Sequence, residues 1–411
     1  MKNIMYTYKF RLNPDKEQQD ILNRYFGCVR FVYNYFLNQR KDEYTNNKKS
    51  ITYNQQSGSL TLFKRDPNYQ WLKEINSQTL QYSLRCLDQS YQRFFKKTSG
   101  FPRFKSRKTK NTFTVPQSVK VEDNYLMIPK FKDGIKMVKH RNIEGLIKKC
   151  SISKTSTGKY YVSILVEKEY QPVKKTNKKV GIDLGLNDFI SLSNGSKTKG
   201  IRYLKKYEKD LNLNQKHLSR KVKGSNRYEK QRLKVCRIHE KITNSRSDML
   251  HKITSNIVKQ FDTIYIEDLN IKGMIKNRKL SKSISDVSWG KFIDILSYKC
   301  DWNNKQLIKV DRFFPSSKTC NKCSHINQNL KLHQRKWTCF KCKSKLDRDI
   351  NAAINILNEG LRLNISDGTS DNNRGAKIRP VDFSELNGIS NETIKEKGYN
   401  IPETHYSLYN V

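Results

Sequence analysis

Five acidic residues lie in three short apolar segments of the sequence, a setting that favours carboxylate chemistry. Asp183 lies inside the run VGIDLGL, where glycines flank a strand-like pattern. Glu267 and Asp268 end the strand-like run TIYIED, and Asp347 and Asp349 open the helix-like run LDRDINAA. A carboxylate in apolar surroundings is costly unless it is paired or bound to a metal ion. Three carboxylates from separate elements can hold two Mg²⁺ ions that orient water and stabilise charge during phosphodiester hydrolysis.

Spacing alone does not decide which acid of each pair belongs to such a centre. Glu267 and Asp268 are equally placed, and so are Asp347 and Asp349. Each carboxylate also has a simpler explanation, because Asp349 can cap a helix N-terminus and Glu267 can end a strand. The occurrence of all three segments in one basic chain nevertheless favours a catalytic metal centre.

Four cysteines form two Cys-x-x-Cys pairs with fifteen residues between the pairs. They are Cys320, Cys323, Cys339 and Cys342. Two such pairs supply four thiolates for a tetrahedral Zn²⁺ ion, and two redox-active pairs at this spacing are a much rarer arrangement. A shell of four cysteines leaves no open position, so we expect one structural zinc ion.

The charge of the chain predicts a polyanionic partner. Lys and Arg number 81 and Asp and Glu 38, which gives a net charge of +43 over 411 residues. Nucleic acid is the leading candidate because each cation that pairs with a phosphate releases a counterion, although ribosomal or membrane-surface binding also makes proteins basic. No apolar run is long enough for a membrane span. An odd number of cysteines, nine, without an apolar leader favours reduced thiols and a cytosolic protein.

The first half of the chain combines one early strand, a helical region and a later group of strands. Residues 4–12 alternate as a half-buried strand, and residues 14–44 follow a helical period with Asn13 as N-cap and a glycine at position 27 where the helix can break. A second helix begins near Ser77. Short strands then fill residues 112–168, and the early strand can pair with them, which makes the helices an insertion.

A basic loop with aromatic residues follows the second helix. The sequence GFPRFKSRK interleaves cations with phenylalanines, and its proline excludes a helix. This composition suits a loop that follows a phosphate backbone and stacks on bases. Arg103, Lys105 and Arg107 are therefore candidate nucleic-acid contacts.

The second half of the chain predicts an α/β sheet. Strand-like runs cover residues 180–186, 188–193 and 197–203, with a type I′ hairpin signal at Asn194-Gly195. A charged helical hairpin covers residues 204–261, interrupted at a Gly-Ser pair, and another strand covers 261–269. Strands that alternate with helices favour a mixed sheet covered by helices.

Four motifs occur in a characteristic order: GIDLG, IEDLN, SSKTC opening the four-cysteine segment, and DRDINAA. In this order the chain resembles the TnpB (OrfB) family of insertion-sequence-encoded proteins, which is related to miniature type V CRISPR effectors. The resemblance implies an RNA-guided DNA endonuclease with a RuvC-like, RNase H-type nuclease domain. Asp183, Glu267 and Asp349 match the family's catalytic Mg²⁺-binding carboxylates, with Asp268 and Asp347 as neighbours.

The resemblance also implies a multidomain α/β and α+β architecture. An N-terminal wedge β-barrel would carry a helical recognition insertion, and a zinc ribbon would interrupt the nuclease domain. The implied boundaries are 1–13 and 112–172 for the barrel, 14–111 for the recognition domain, 173–311 and 345–362 for the nuclease domain, 312–344 for the ribbon, and 363–411 for a flexible tail.

The partners implied by the resemblance are a guide RNA from the end of the insertion sequence and double-stranded target DNA, with one protein chain per guide RNA in the bacterial cytosol. Base pairing would select the target, while the protein reads a short adjacent motif. Tyr53, Gln56 and Ser57 lie where the family reads that motif. Other functions remain: a strand-joining transposase or transposition accessory DNA-binding protein, a nuclease-silent RNA-guided binder, and a CRISPR effector proper, for which the chain is short. The acid order Asp, Glu, Asp disfavours the first, and the presence of all three acids disfavours the second.

Overall fold

The computed structural model describes residues 2–107, 111–200, 202–331 and 333–367. Within this part of the chain, contacts divide the protein into two compact units, residues 3–169 and residues 170–367 together with residue 2. The division at Tyr170 lies close to the predicted domain boundary at 172/173. The predicted flexible tail, 363–411, lies outside the described residues beyond 367, and its first five residues continue a helix.

The first unit is built on a seven-stranded sheet with the order β2-β6-β7-β1-β5-β4-β3. Its central strand β1 comes from the start of the chain and pairs antiparallel with β5, Arg11 opposite Val138. This confirms the prediction that the early strand joins the later strands. Only the three-residue β3 escaped prediction. The strands are β1 (Lys2–Leu12), β2 (Asn111–Val115), β3 (Lys120–Glu122), β4 (Tyr125–Ile128), β5 (Phe131–Val138), β6 (Leu146–Lys154) and β7 (Tyr160–Tyr170).

Among the described residues, three α-helices and a 3-10 helix separate β1 from β2. The predicted helices are α1 (Lys16–Asn47) and α3 (Ser77–Phe95), and α2 (Tyr53–Phe63) and the 3-10 helix (Pro67–Glu74) were not predicted.

Two local predictions about α1 are wrong. Asp15 rather than Asn13 is the N-cap, because its carboxylate accepts a hydrogen bond from the Gln18 N–H at 2.8 Å and Gln18 bonds back. The helix also runs unbroken through Gly27, whose neighbours Phe26 and Cys28 are buried in the core.

The helices and the sheet of this unit share one hydrophobic core. Tyr25 of α1 stacks on Phe113 of β2 with ring centroids 4.7 Å apart, and Leu84 of α3 and Phe10 of β1 are buried in the same cluster. The helical insertion therefore folds against the sheet from which it departs, since neither layer can bury its apolar face alone.

The second unit is built on a five-stranded mixed sheet with the order β10-β9-β8-β11-β12. Neighbours among β10, β9 and β8 are antiparallel, and β11 is parallel to both β8 and β12. The predicted strands exist, but β12 was not predicted and β10 is shorter than expected. The strands are β8 (Lys179–Leu184), β9 (Asp188–Leu192), β10 (Lys197–Lys199), β11 (Thr263–Glu267) and β12 (Gln306–Val310).

The β9–β10 turn differs from the predicted type I′ hairpin. Leu192 N–H donates to the Ser196 carbonyl at 2.9 Å, which leaves three residues in the loop. Gly195 has a φ of +89°, whereas Asn194 is not among the described residues with positive φ. A type I′ turn requires positive φ at both central residues, so the three-residue alternative forms instead.

Seven helices complete the second unit within the described residues. The predicted helical hairpin is confirmed as α5 and α6, with Ser225 as the N-cap of α6. Helices α7 to α9 were not predicted. The bounds are α4 (Tyr203–Lys206), α5 (Glu208–Ser219), α6 (Asn226–Gln260), α7 (Ile271–Met274), α8 (Arg278–Val287), α9 (Trp289–Trp302) and α10 (Arg348–Asp367). In the part of the chain that the structure describes, no helix is both long and apolar enough to cross a membrane.

Helices cover both faces of the five-stranded sheet. On one face Ile182 and Ile266 share a core with Ile257 of α6 and Phe292 of α9. On the other face α10 crosses β8 so closely that a Cβ atom on Gly181 would overlap the helix backbone at the Ala353 carbonyl. Only glycine permits this approach, and it brings the N-terminus of α10 to the sheet.

Candidate active site

Asp183 and Glu267 lie on neighbouring interior strands of the five-stranded sheet, near the carboxyl ends of those strands. Strands β8 and β11 are parallel, and Ile182 pairs with Ile266. The next residue on each strand is the acid, so the two carboxylates lie side by side near the carboxyl ends of the strands. Because the isoleucines face the α6–α9 core, side-chain alternation turns both acids toward the α10 face.

Asp349 reaches the same region from the first turn of α10. The carboxylate of Asp347 accepts hydrogen bonds from the N–H groups of Asp349 and Ile350, both at 3.1 Å. Asp347 therefore supplies the helix cap that sequence reasoning had considered for Asp349. The side chain of Asp349 does not cap the helix and stands in the first turn, near Asp183.

Burial raises the pKa values of two acids of the site. Burial, followed by the charges of Asp349 and Glu267, raises the pKa of Asp183 to about 7. Burial raises the pKa of Glu267 to about 7 as well. Such carboxylates favour a proton or a cation, and oxygen ligands of this kind suit Mg²⁺. The oxygen chemistry of these ligands thus suits a divalent metal ion.

The two neighbouring acids, Asp268 and Asp347, form ion pairs with lysine or arginine side chains instead. Asp268 pairs with Lys309 Nζ at 2.9 Å and with Arg312 Nη2 at 2.6 Å. The hydrogen bond from Lys309 is the main reason that the pKa of Asp268 lies below its usual range. Tertiary contacts therefore distinguish Glu267 from Asp268, which spacing could not do.

Asp347 is paired as well. Its Oδ1 lies 2.9 Å from Lys197 Nζ. Burial acts to raise the pKa of Asp347, but the hydrogen bonds from Lys197 and from the Ile350 and Asp349 N–H groups outweigh it, and the pKa is lowered. A carboxylate already occupied by a cap and an ion pair is a poor metal ligand, which leaves Asp349 as the better candidate.

Two cations that sequence reasoning missed contact Asp349. Arg335 Nη1 lies 3.1 Å from one carboxylate oxygen, and Lys197 Nζ lies 3.6 Å from the other. Lys197 also lies 3.4 Å from Asp188. These residues lie far apart in the sequence, and a lysine or arginine among 81 carries no local signal of such a role.

The four predicted cysteines converge. Their sulfur atoms all lie within 4.8 Å of one another, and the Cys320–Cys342 and Cys323–Cys339 pairs are each 3.6 Å apart. Tetrahedral zinc–thiolate bonds of about 2.3 Å place sulfurs about 3.8 Å apart, so the cluster fits Zn²⁺. Among the described residues it is the only group of three or more Cys, His, Asp or Glu ligand atoms at such spacing.

Both Cys-x-x-Cys pairs adopt the same turn. Cys320 N–H donates to the His325 carbonyl and Cys339 N–H donates to the Ser344 carbonyl, each at 2.9 Å. The residue four positions after the first cysteine of each pair, Ser324 or Lys343, has a φ of +58°. The small hairpin of β13 (Lys336–Thr338) and β14 (Lys345–Asp347) flanks the second pair and leads directly into α10.

Tyr53, Gln56 and Ser57, the candidate readers of the adjacent motif, differ from one another in burial. Gln56 is fully buried, its amide accepting from Arg40 Nε at 2.8 Å and donating to the Phe36 carbonyl at 2.9 Å. This placement contradicts a DNA-reading role for Gln56, since its polar atoms are used inside the protein. Tyr53 and Ser57 are half-buried on the same helix, and Tyr53 accepts a hydrogen bond from Arg85.

Two of the three candidate nucleic-acid contacts in the basic loop are exposed to solvent. Arg103 and Arg107 are exposed. Lys105 instead turns inward, with Nζ 3.9 Å from the centre of the Tyr33 ring. Its main chain is fixed by Asn34, which accepts from the Lys105 N–H at 2.7 Å and donates to its carbonyl at 2.8 Å. Lys105 therefore anchors the loop.

Comparison with known proteins decides the family. Family models match residues 162–278 ("Probable transposase"), 289–356 ("Cas12f1-like, TNB domain") and 1–49 ("Helix-turn-helix domain"). A relative from Streptomyces pristinaespiralis with the name "Putative RNA-guided DNA endonuclease" is 36% identical over 371 residues, which cover 88% of this chain and 90% of the relative. The chain belongs to the TnpB (OrfB) family.

A second relative and a solved structure agree with this family assignment. A relative from Escherichia coli K12, "Putative RNA-guided DNA endonuclease InsQ", is 34% identical over 378 residues and covers 88% of this chain and 93% of its own. The solved structure "Cryo-EM structure of the Cas12f1-sgRNA-target DNA complex" matches at a TM-score of 0.52 and 14% identity, covering 86% of this chain and 98% of that one. This likeness shows a shared fold. In this TnpB chain the described part of 1–49 forms one strand and one long helix.

Proposed function

We propose that this protein is an RNA-guided DNA endonuclease of an insertion sequence, with a RuvC-like, RNase H-type active site formed by Asp183, Glu267 and Asp349. The observation that carries the proposal is the raised pKa of two adjacent strand-end carboxylates next to the first turn of α10. The sheet order supports it, because three antiparallel strands followed by two parallel ones suit an RNase H-type nuclease.

These carboxylates would hold divalent metal ions, in this proposal two Mg²⁺, which would activate water and neutralise the scissile phosphate. Asp183 and Glu267 offer their oxygens from adjacent strands, which hold them at a fixed separation. Asp349 offers its oxygens from α10, where Arg335 and Lys197 limit its rotation. Lys309 and Arg312 hold Asp268 away from this task.

The ribbon, residues 312–344, suits contact with a nucleic acid near the site. It contains eight Lys and Arg residues and no Asp or Glu. Phe313 and Phe340 are 85% and 81% exposed, which is unusual for large apolar side chains and suits stacking on unpaired bases. Four cysteine ligands around one structural Zn²⁺ would give this short segment its fixed shape.

The first unit would bind the guide RNA and the target end. In this proposal its seven-stranded sheet would be the wedge domain of residues 1–13 and 112–172, and its helices would be the recognition domain of residues 14–111. Tyr53, Ser57, Arg103 and Arg107 remain candidate contacts for the adjacent motif or the RNA. One chain per guide RNA, acting on double-stranded DNA, is the proposed working unit.

The test begins with the RNA that copurifies with the protein. Sequencing should give a discrete RNA that ends in sequence flanking the gene's own element, and this RNA should direct Mg²⁺-dependent cleavage of a plasmid carrying the matching target. A plasmid without the matching sequence is the control. Heterogeneous RNA that directs no cleavage, or cleavage that ignores the guide, would refute the proposal and favour an unguided transposition factor.

A further inference from the structure

Two buried asparagines on α10 join the helix of the active site to the zinc ribbon. Asn351 and Asn355 lie one turn apart and are 1% and 5% exposed. Asn355 Nδ2 donates to the Ser316 carbonyl at 2.8 Å and to the Thr319 carbonyl at 2.6 Å. Asn351 Nδ2 donates to the Thr319 carbonyl at 2.8 Å, and Asn351 Oδ1 accepts from the Asn321 N–H at 3.0 Å.

These hydrogen bonds connect two metal-binding segments. Thr319 and Asn321 directly flank Cys320, a ligand in the zinc cluster. Asn351 follows Asp349 by two residues on the same helix. A displacement of the first cysteine pair would therefore be felt at the beginning of α10.

A second connection to Asp349 comes from Arg335, which lies between the two cysteine pairs of the ribbon. The Arg335 carbonyl accepts from the Arg348 N–H at 2.8 Å, and the Arg335 guanidinium reaches Asp349 at 3.1 Å. The ribbon thus fixes the main chain of α10 next to Asp349 and also its side chain.

The burial of the asparagines needs an explanation beyond packing. Their neighbours on the same helix, Ala352, Ala353 and Ile356, are buried apolar residues. A primary amide in such a place is unfavourable unless its donors and acceptor find partners. The partners here are main-chain groups of the ribbon, so the two asparagines specify where the ribbon sits on α10.

We propose that Asn351 and Asn355 are positioning residues that transmit the order of the zinc ribbon to Asp349, so that the folded ribbon sets the affinity of the active site for its divalent metal ions. We call these two residues the asparagine latch. The proposal rests on the proposed role of Asp349 as a metal ligand. Groups that orient a ligand in this way typically change metal affinity or activity by about 10–100-fold when they are removed.

The test compares three asparagines of one helix. Asn351→Ala and Asn355→Ala remove the latch, and Asn358→Ala is the matched control because Asn358 is exposed on α10. Asn355→Asp is a further variant that keeps the size of the side chain and removes its two donors. Each variant is purified as the full chain with its RNA, and zinc content is measured by elemental analysis.

The first readout, amide hydrogen exchange, does not depend on activity. The latch variants should keep one zinc ion per chain but lose protection at residues 316–321 and 348–351, whereas Asn358→Ala should exchange like the wild type. Removal of zinc from the wild type should also lower protection at 348–351, and this effect should be smaller in Asn351→Ala. Unchanged exchange at 348–351 in all latch variants would overturn the proposal.

The second readout separates metal affinity from the maximum rate. The Mg²⁺ concentration for half-maximal cleavage should rise about tenfold or more in Asn355→Ala and Asn355→Asp, while the rate at saturating Mg²⁺ stays close to that of the wild type. An unchanged Mg²⁺ requirement would contradict the latch. If the wild type itself cleaves nothing, the proposed function fails, and the exchange experiment still decides whether the asparagines connect the ribbon to α10.

Discussion

Asp183 and Glu267 are the residues whose surroundings deviate most clearly from those of ordinary surface acids. Both lie at strand ends with a pKa raised to about 7, while their neighbour Asp268 is ion-paired and has a lowered pKa. The contrast between adjacent residues 267 and 268 shows that the contacts of each carboxylate set its pKa. Predictions about single side chains follow from this difference.

Asp183→Ala should lower target cleavage by more than about 100-fold, above the range for residues that only orient a ligand. RNA binding should be unchanged, because the substitution removes a metal ligand and no basic contact. Plasmid cleavage and an RNA-binding titration measure the two effects. Asp268→Asn is the matched control, and it should retain activity within about tenfold because exposed ion pairs contribute little. Equal loss of RNA binding in Asp183→Ala would contradict this assignment.

The raised pKa values also predict how stability depends on pH. In metal-free protein, folding raises the pKa of Asp183 and Glu267 above their unfolded values, so the folded state binds protons more tightly. The stability associated with these protons is fully present below about pH 4 and is lost as the pH rises through about 7. Thermal melts in EDTA should show this part of the stability declining between pH 5 and 8 in the wild type but not in Asp183→Asn with Glu267→Gln.

Added Mg²⁺ should reverse the trend, because it binds the deprotonated carboxylates. The rise in melting temperature caused by Mg²⁺ should be larger at pH 8 than at pH 6. A Mg²⁺ effect that is equal at both pH values, or equal in the double variant, would show that these carboxylates are not the binding site.

At the scale of the elements, the close crossing of α10 over β8 is what brings Asp349 to the other two acids. The crossing depends on Gly181, where any side chain would meet the backbone of α10. A second feature of this scale is the pair of cysteine turns. Each turn contains one residue in the left-handed conformation, and in neither turn is that residue a glycine. The first feature can be tested by replacing a glycine and the second by introducing one, each with a matched control.

Gly181→Ala should destabilise the protein by about 1–3 kcal/mol, the usual range for forcing extra volume into a packed interior, and should reduce cleavage because α10 must move. Gly27→Ala is the control, since nothing lies within 4 Å of the added Cβ and the residue is inside a helix. That change should stabilise by about 0.5–1 kcal/mol. Denaturant unfolding measures both. Equal effects of the two substitutions would contradict the packing argument.

Ser324→Gly should strengthen the first cysteine turn, because a left-handed conformation costs a non-glycine residue about 1–2 kcal/mol. The expected result is slower zinc release to a chelator, followed with a colorimetric zinc indicator. Lys322→Gly serves as the control, since Lys322 is not among the described residues with positive φ. If both variants release zinc at the same rate, the strain of the turn does not limit zinc binding.

At the scale of the whole molecule, charge is the dominant property. A net charge of +43 exceeds what solubility requires and predicts strong, salt-sensitive binding of nucleic acid. The residues after 367 do not add to this positive charge, because they contain five Lys and Arg against six Asp and Glu. The binding charge therefore lies within the first 367 residues.

The affinity of the RNA-free protein for random RNA should fall by about 10³-fold or more between 50 and 200 mM salt, as expected for at least six phosphate contacts. A chain that ends at Asp367 should show the same slope of log affinity against log salt, measured by filter binding. A shallower slope for the shortened chain would show that the last residues contact the RNA.

The sequence by itself determined the cysteine cluster and narrowed the acids to five, because metal ligands and acids in apolar runs leave local signals. It also determined most strands, through the alternation of apolar residues, and the two longest helices of the first unit. Helices such as α2 and α7 to α9 have weaker local patterns and were missed.

Only the tertiary structure distinguished the acids within each pair. Asp268 and Asp347 form ion pairs with Lys309 and Lys197, partners from other strands that no spacing rule can find. The structure also showed that Gln56 is buried and that the asparagine latch joins α10 to the ribbon. These outcomes depend on contacts between residues distant in sequence, where the energy of a charge or an amide is set by what the fold places beside it.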